Sequence, residues 1–95
     1  MTILEQYSIL VSKTPDEILG RSRKHDIKYV RYFYWWTLRR IGYSYPRIAR
    51  MCNRSSHATV LQGIKRINSD LDIGYKDIID LKDKTEYLTQ KSVQP

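Results

Sequence analysis

The chain has 95 residues, 41% of them apolar and 28% charged, which suits one small globular domain and excludes a disordered tail. A single cysteine, Cys52, excludes an internal disulfide and a cysteine-rich zinc site, and no stretch approaches the roughly 18 consecutive apolar residues of a membrane span. The net charge of +7 is segregated: residues 20–66 hold twelve Lys and Arg against one acid, Asp26, while the remainder holds five bases against nine acids, the distribution of a polyanion-binding surface.

The opening Met1-Thr2-Ile3-Leu4-Glu5 lacks the basic start of a signal peptide and, with the lone cysteine, predicts a cytoplasmic protein. Residues 2–11 read as a short helix, because Ile3, Leu4, Tyr7 and Leu10 recur at helical spacing. Thr14-Pro15-Asp16-Glu17 is a helix start, with Thr14 as cap, Pro15 at the first position and Glu17 closing a capping box. That helix ends near Gly20. Arg21-Ser22-Arg23-Lys24-His25-Asp26 has no apolar residue and reads as a basic loop, with Asp26 capping the next helix.

The third helix runs from about Ile27 to Ile41, buries Ile27, Val30, Tyr34, Leu38 and Ile41, and stops at Gly42. Ser44 caps a short helix whose apolar face is Ile48, Ala49 and Cys52. Asn53-Arg54-Ser55 is a tight turn, with Asn53 suited to a left-handed backbone. Ser55 or Ser56 caps a longer helix to about Leu71, with Val60, Leu61, Ile64, Ile67 and Leu71 facing inward. Gly74 breaks the chain before a last amphipathic helix over residues 75–89, apolar at Ile78, Ile79, Leu81 and Leu88. The expectation is one all-α domain over residues 1–88, a small helical bundle with a helix-turn-helix at about 45–71, and a frayed tail over 89–95.

A short helix, a three-residue turn and a longer helix form the layout that reads DNA with the first turn of its second helix. That turn must offer small polar groups. Ser55, Ser56, His57, Ala58 and Thr59 do so, and Gln62 lies one turn along. Hydroxyls, imidazole and amide can bond base edges, and the methyls of Ala58 and Thr59 can touch thymine. Serines also open many ordinary helices; the surrounding charge is what favours DNA. Lys28, Arg31, Arg47, Arg50, Arg54, Lys65 and Arg66 are candidates for phosphate contacts.

The segment Asn53-Arg54-Ser55-Ser56-His57-Ala58-Thr59-Val60-Leu61-Gln62-Gly63-Ile64-Lys65-Arg66-Ile67 resembles the signature of the C-terminal DNA-binding domain of the bacterial replication initiator DnaA. That signature runs Gly-Gly-Arg-Asp-His-(Ser/Thr)-Thr-Val-Leu-His, with Lys or Arg before a final Ile. Ser44-Tyr45-Pro46-Arg47-Ile48 resembles the family's Ser-Leu-Pro-Glu-Ile, and Ile18-Leu19-Gly20-Arg21-Ser22-Arg23-Lys24 resembles its basic loop. Arg31 falls on a recurrent arginine of the long helix. The resemblance spans about residues 1–71. It implies a Trp-repressor-like helix-turn-helix that binds short duplex sites, with His57 and Thr59 as base readers and Arg21, Arg23 and Lys24 in a loop that enters the minor groove.

Departures from the family pattern imply a different target site. Ser56 stands for the family's acid, Ser55 for its arginine and Ala58 for its second hydroxyl residue. His25 matches the minor-groove arginine; a histidine carries less charge at neutral pH, which makes Arg23 and Lys24 candidates for that work. The connection Gly42-Tyr43-Ser44 is one residue shorter than the family's. No Gly-x-x-x-x-Gly-Lys-(Ser/Thr) loop occurs, so the expected protein is a freestanding reader without ATP hydrolysis.

Six aromatics, Tyr29, Tyr32, Phe33, Tyr34, Trp35 and Trp36, crowd the third helix. Tyr29, Tyr32, Trp35 and Trp36 either pack against the first and last helices or form a surface for a homodimer, a protein partner or unpaired bases. His25 and His57 have no carboxylate at metal-ligand spacing, Cys52 reads as buried packing, and no nucleophile–base pair is present, so neither metal, cofactor nor enzymatic activity is expected. Three functions remain: sequence-specific duplex binding in the control of transcription or replication, single-strand or RNA binding through the aromatics, and a protein-interaction module that modulates an initiator.

Overall fold

Hydroxyl caps set the helix starts in a computed structural model, which describes residues 2–93 and side chains as far as Thr89. Thr2 accepts from the Glu5 amide and Thr14 from the Glu17 amide, each at 3.1 Å, and both glutamates answer to form capping boxes. Ser44 accepts from the Arg47 amide at 3.3 Å and Ser56 from the Ala58 amide at 3.1 Å. Each such cap contributes about 1 kcal/mol. The helices are α1 (Ile3–Val11), α2 (Pro15–Leu19), α3 (His25–Ile41), α4 (Tyr45–Met51), α5 (His57–Asp72) and α6 (Lys76–Val93), with no strand among the described residues. None of them is long and apolar enough to cross a membrane.

Two expected boundaries move. α3 begins at His25, with Lys24 as an N-cap that makes no side-chain bond. Asp26 does not cap: its carboxylate pairs with Lys13 Nζ at 3.0 Å across the turn before α2, while still lying in the first turn, where the helix dipole favours an acid. α6 passes the expected stop at Thr89 and runs to Val93. Leu88 and Thr89 are buried, and the Thr89 hydroxyl donates to the Glu86 carbonyl at 2.7 Å, so the helix is held where fraying was expected. Residues 94 and 95 of the expected tail lie outside the described residues.

α3 is the axis of the bundle. It packs on α2, α4, α5 and α6 at once, so more of its circumference is covered than one stripe. Ile27, Phe33, Tyr34, Trp35 and Leu38 are buried, together with Arg31 and Thr37, whereas the expected Val30 and Ile41 are half-buried. α1 joins through Tyr7, whose hydroxyl donates to the Val30 carbonyl at 2.6 Å, and α6 contributes Ile78 and Leu88. On α6, Thr85 takes the inward place expected of Ile79, which is exposed. Cys52 is buried as expected, and desolvation pushes its thiol up to about 11.

The aromatics Tyr29, Tyr32, Trp35 and Trp36, read either as packing against the first and last helices or as a partner surface, turn chiefly to α5. Trp35 is 1% exposed. The Tyr29 hydroxyl donates to Asp70 Oδ2 at 2.6 Å, Trp36 Nε1 donates to Asn68 Oδ1 at 2.9 Å, and the Tyr32 ring lies 5.3 Å from that of Trp35. All four aromatics therefore serve the α3–α5 contact or its rim. That contact closes over Gly63, where an added Cβ would fall 2.6 Å from Trp35 Cε3 and 2.9 Å from Tyr32 Cδ1.

Candidate nucleic-acid interface

α4 and α5 meet through Ile48, Ala49 and Cys52 on one side and Val60, Ile64 and Ile67 on the other. The chain turns between them at Asn53, whose φ of 57° is left-handed. The Arg54 amide donates to the Ala49 carbonyl at 2.8 Å and the Asn53 amide to Arg50 at 3.3 Å, which satisfies the free carbonyls at the end of α4. Ser56, not Ser55, is the cap of α5. With Val60, Gly63, Ile64 and Ile67 buried, helical geometry turns the other positions outward. Ser55, Ser56, His57, Ala58, Thr59 and Gln62 are all exposed. The Ser56 oxygen is engaged in the cap, which leaves its O–H free to donate outward.

The basic loop is fastened from two sides. Arg31 was an expected phosphate contact, and its placement corrects that: it is 5% exposed, and its guanidinium donates to the carbonyls of Ile18 at 3.1 Å, Glu17 at 3.1 Å and Ser22 at 2.9 Å. Two of these are carbonyls of the last turn of α2, which no backbone amide of that helix can reach. Arg31 is thus the cap of α2 and the anchor of the loop. Arg54 is the second fastening. Its guanidinium sits 5.4 Å from the Trp35 ring centroid and donates to the Gly20 carbonyl, while Arg21 Nη2 donates to the Asn53 carbonyl at 3.4 Å. The loop and the turn before α5 therefore hold each other.

These contacts crowd like charges. Burial lowers the pKa of Arg31, and the guanidiniums of Arg54 and Arg21 lower it further; burial followed by Arg21 does the same to Arg54. Arginine stays charged under such shifts, so the region stores a positive field. Arg54 Nε is buried without an acceptor.

Between loop and α5 lies a cleft of about 470 Å³. Arg21, Arg23, Lys28, Arg31 and Arg54 line it, with Ser55 and Thr59 on the α5 side and no acid. A second cleft of about 280 Å³ continues along α3 and α5, past His25, Tyr29, Gln62 and Arg66, and shares Lys28, Tyr32 and Thr59 with the first. His25 stands edge-on to Tyr29, ring centroids 4.7 Å apart. Thr59 and Gln62 are thereby brought beside the loop residues.

Other expected cations are placed apart. Arg47 and Arg50 are exposed on α4 and Lys65 on α5, outside both clefts. Arg66 is partly committed, with Nε 3.4 Å from Asp70 Oδ2 and Nη2 donating to the Tyr29 hydroxyl at 3.2 Å. Lys24 is exposed in the loop. Ser22 and Gly63 also shape the clefts and were not among the expected site residues, and Tyr32 and Trp35, expected either in packing or on a partner surface, line them too. The signal for Gly63 was a helix-interior glycine, which costs about 1 kcal/mol against alanine and so asks for a packing reason. A family model described as the bacterial DnaA protein helix-turn-helix matches residues 2–67. No curated protein matches the chain.

Proposed function

Because the chain belongs to the bacterial DnaA helix-turn-helix family, whose matched part is a DNA-binding domain, we propose that it is a sequence-specific reader of duplex DNA. In this reading it is a non-catalytic regulator of transcription or replication that acts at the nucleoid in the cytoplasm. Ser55, Ser56, His57, Ala58, Thr59 and Gln62 read base edges in the major groove. Arg21, Arg23, Lys24 and His25 follow the backbone into the adjacent minor groove. Lys28, Arg47, Arg50 and Lys65 sit on phosphates, and Arg66 joins them as far as its bond to Asp70 allows. The observation that carries the reading is the exposure of all six of these base readers, from Ser55 to Gln62, beside a cleft lined only by cations and neutral groups. The internal engagement of Tyr29, Trp35 and Trp36 supports a duplex over unpaired bases as the target.

Selection from a random duplex pool, followed by titration of the enriched site, tests this. A bound consensus is expected, and competing single strand should displace the duplex poorly. His57→Ala or Thr59→Ala should each cost about 1–3 kcal/mol on the selected site and little on random DNA. Equal losses on both sequences would remove base reading from these residues. Lys65→Ala should weaken every duplex alike and reduce the slope of log K against log salt by about 0.9. An unchanged slope would mean that Lys65 meets no phosphate.

A further inference from the structure

We propose that this chain associates head to tail with further copies of itself, the Met51 end of α4 in one copy seated in an apolar groove between α1, α3 and α6 of the next. The groove has a volume of about 340 Å³, and its apolar lining is Leu10 and Val11 from the end of α1, Val30 from α3 and Leu81 from α6. All four are half-buried, so the groove is open to solvent. Asp77 and Asp80 line it from α6, both exposed, and neither forms a hydrogen bond or ion pair among the described residues. The groove faces away from the basic clefts. At about 100° per residue, Val30 lies roughly 160° around α3 from Lys28 and Tyr32, which line those clefts.

The occupant is argued from charge and from the apolar groups left outside. Among the described residues Met51 is the one exposed large apolar side chain between positions 20 and 66, at 40% exposure. It ends α4, one turn beyond Arg47 and next to Arg50, and both arginines are exposed. An apolar knob beside cations in one copy thus matches an apolar groove beside aspartates in another. Methionine is unbranched and adapts to an irregular hollow. Lys84, one turn beyond Asp80, is the cation of the groove and sets the direction of entry: Arg50 must lie toward the Asp77 end. Met51 does not line the groove of its own chain, since α4 packs on α3 and α5. The contact therefore joins two different patches and leaves a knob and a groove free for further copies. One knob with one or two ion pairs makes a small interface, with a Kd on the order of 100 μM. Arg47 and Arg50 are also the residues given to phosphates above, so duplex and assembly compete for the same end of α4. That competition rests on the duplex reading; the contact itself does not.

Sedimentation velocity on the full chain, from a tenth of that Kd to ten times above it, tests the contact. The average mass is expected to rise with concentration, and added salt should lower it. Asp80→Lys, which blocks the groove, and Met51→Ser, which removes the knob, should each weaken association at least tenfold. An equimolar mixture of the two variants should form pairs and nothing larger, because one supplies an intact knob and the other an intact groove; recovery on mixing also shows that both variants fold. A parent that stays monomeric throughout would overturn the proposal and leave the groove to a foreign basic segment. Variants that associate as the parent does, or a mixture no heavier than its parts, would overturn it equally. Adding the selected duplex should return the assembly to single DNA-bound copies. Assembly that persists on bound duplex would take Arg50 off the phosphates and leave the contact standing, and a chain that assembles yet binds no duplex would sink the duplex reading alone.

Discussion

Arg31→Met should destabilise the protein by about 3–5 kcal/mol, because it orphans three carbonyls at about 1–3 kcal/mol each, some of which water can reach. For a domain of this size each kcal/mol moves the melting point by roughly 4–8 °C, so a drop above about 12 °C is expected in a calorimetric or circular-dichroism melt. Methionine keeps most of the apolar stem, which separates the lost hydrogen bonds from lost packing. Arg31→Lys should recover only part of the loss, since one ammonium cannot span carbonyls of Glu17, Ile18 and Ser22 in the fixed fork that a guanidinium provides. Affinity for DNA should fall even where the variant remains folded, because the loop loses its anchor. A melting point within about 4 °C of the parent would show that water replaces the guanidinium at all three acceptors.

The second large effect is expected at Gly63. An alanine there must place its Cβ 2.6 Å from the ring of Trp35, which is 1% exposed and has nowhere to go. Overpacking of this kind costs about 1–3 kcal/mol, offset by the roughly 1 kcal/mol that alanine gains over glycine in a helix, for a net loss of up to about 2 kcal/mol. Gly63→Val adds two methyl groups against the same ring and should cost above about 3 kcal/mol. Chemical denaturation with both variants measures this. In a double-mutant cycle the cost of Gly63→Ala should shrink when Trp35→Leu is already present, since the smaller side chain opens the space that the methyl needs. If Gly63→Ala alone proves more stable than the parent, α3 and α5 are not in the close contact described.

The layout of this fold was legible because its signals are local. Thr14, Pro15 and Glu17 announce α2, Ser44 announces α4, and Asn53 marks the turn, since capping and left-handed preference act over a few residues. The exposure of His57 and Thr59 followed from the inward placement of Val60 and Ile64 on the same helix. What escaped the sequence depends on distant pairings. Arg31 is written as one base among many in a cationic segment, and only the approach of α2 turns it inward. Asp26 sits where a cap belongs, and only Lys13 thirteen positions earlier draws it away. The aromatics of α3 outnumber the stripe that a single helix face can bury, and their partners Asn68 and Asp70 lie 32 and 41 positions on.

The clasp between Arg54 and Gly20, with Arg21 reaching back to Asn53, has a mechanical consequence. Under the proposed duplex reading it makes the protein a caliper: the span between its two probes is set by these side-chain bonds and resists stretching to suit the duplex. DNA that is over- or underwound changes the angle between neighbouring grooves, and it must then be twisted back at an elastic cost before both probes engage. Affinity should therefore vary with superhelical density, which a comparison of relaxed and supercoiled minicircles bearing one site would reveal. Arg54→Gly, by loosening the clasp, should blunt that dependence.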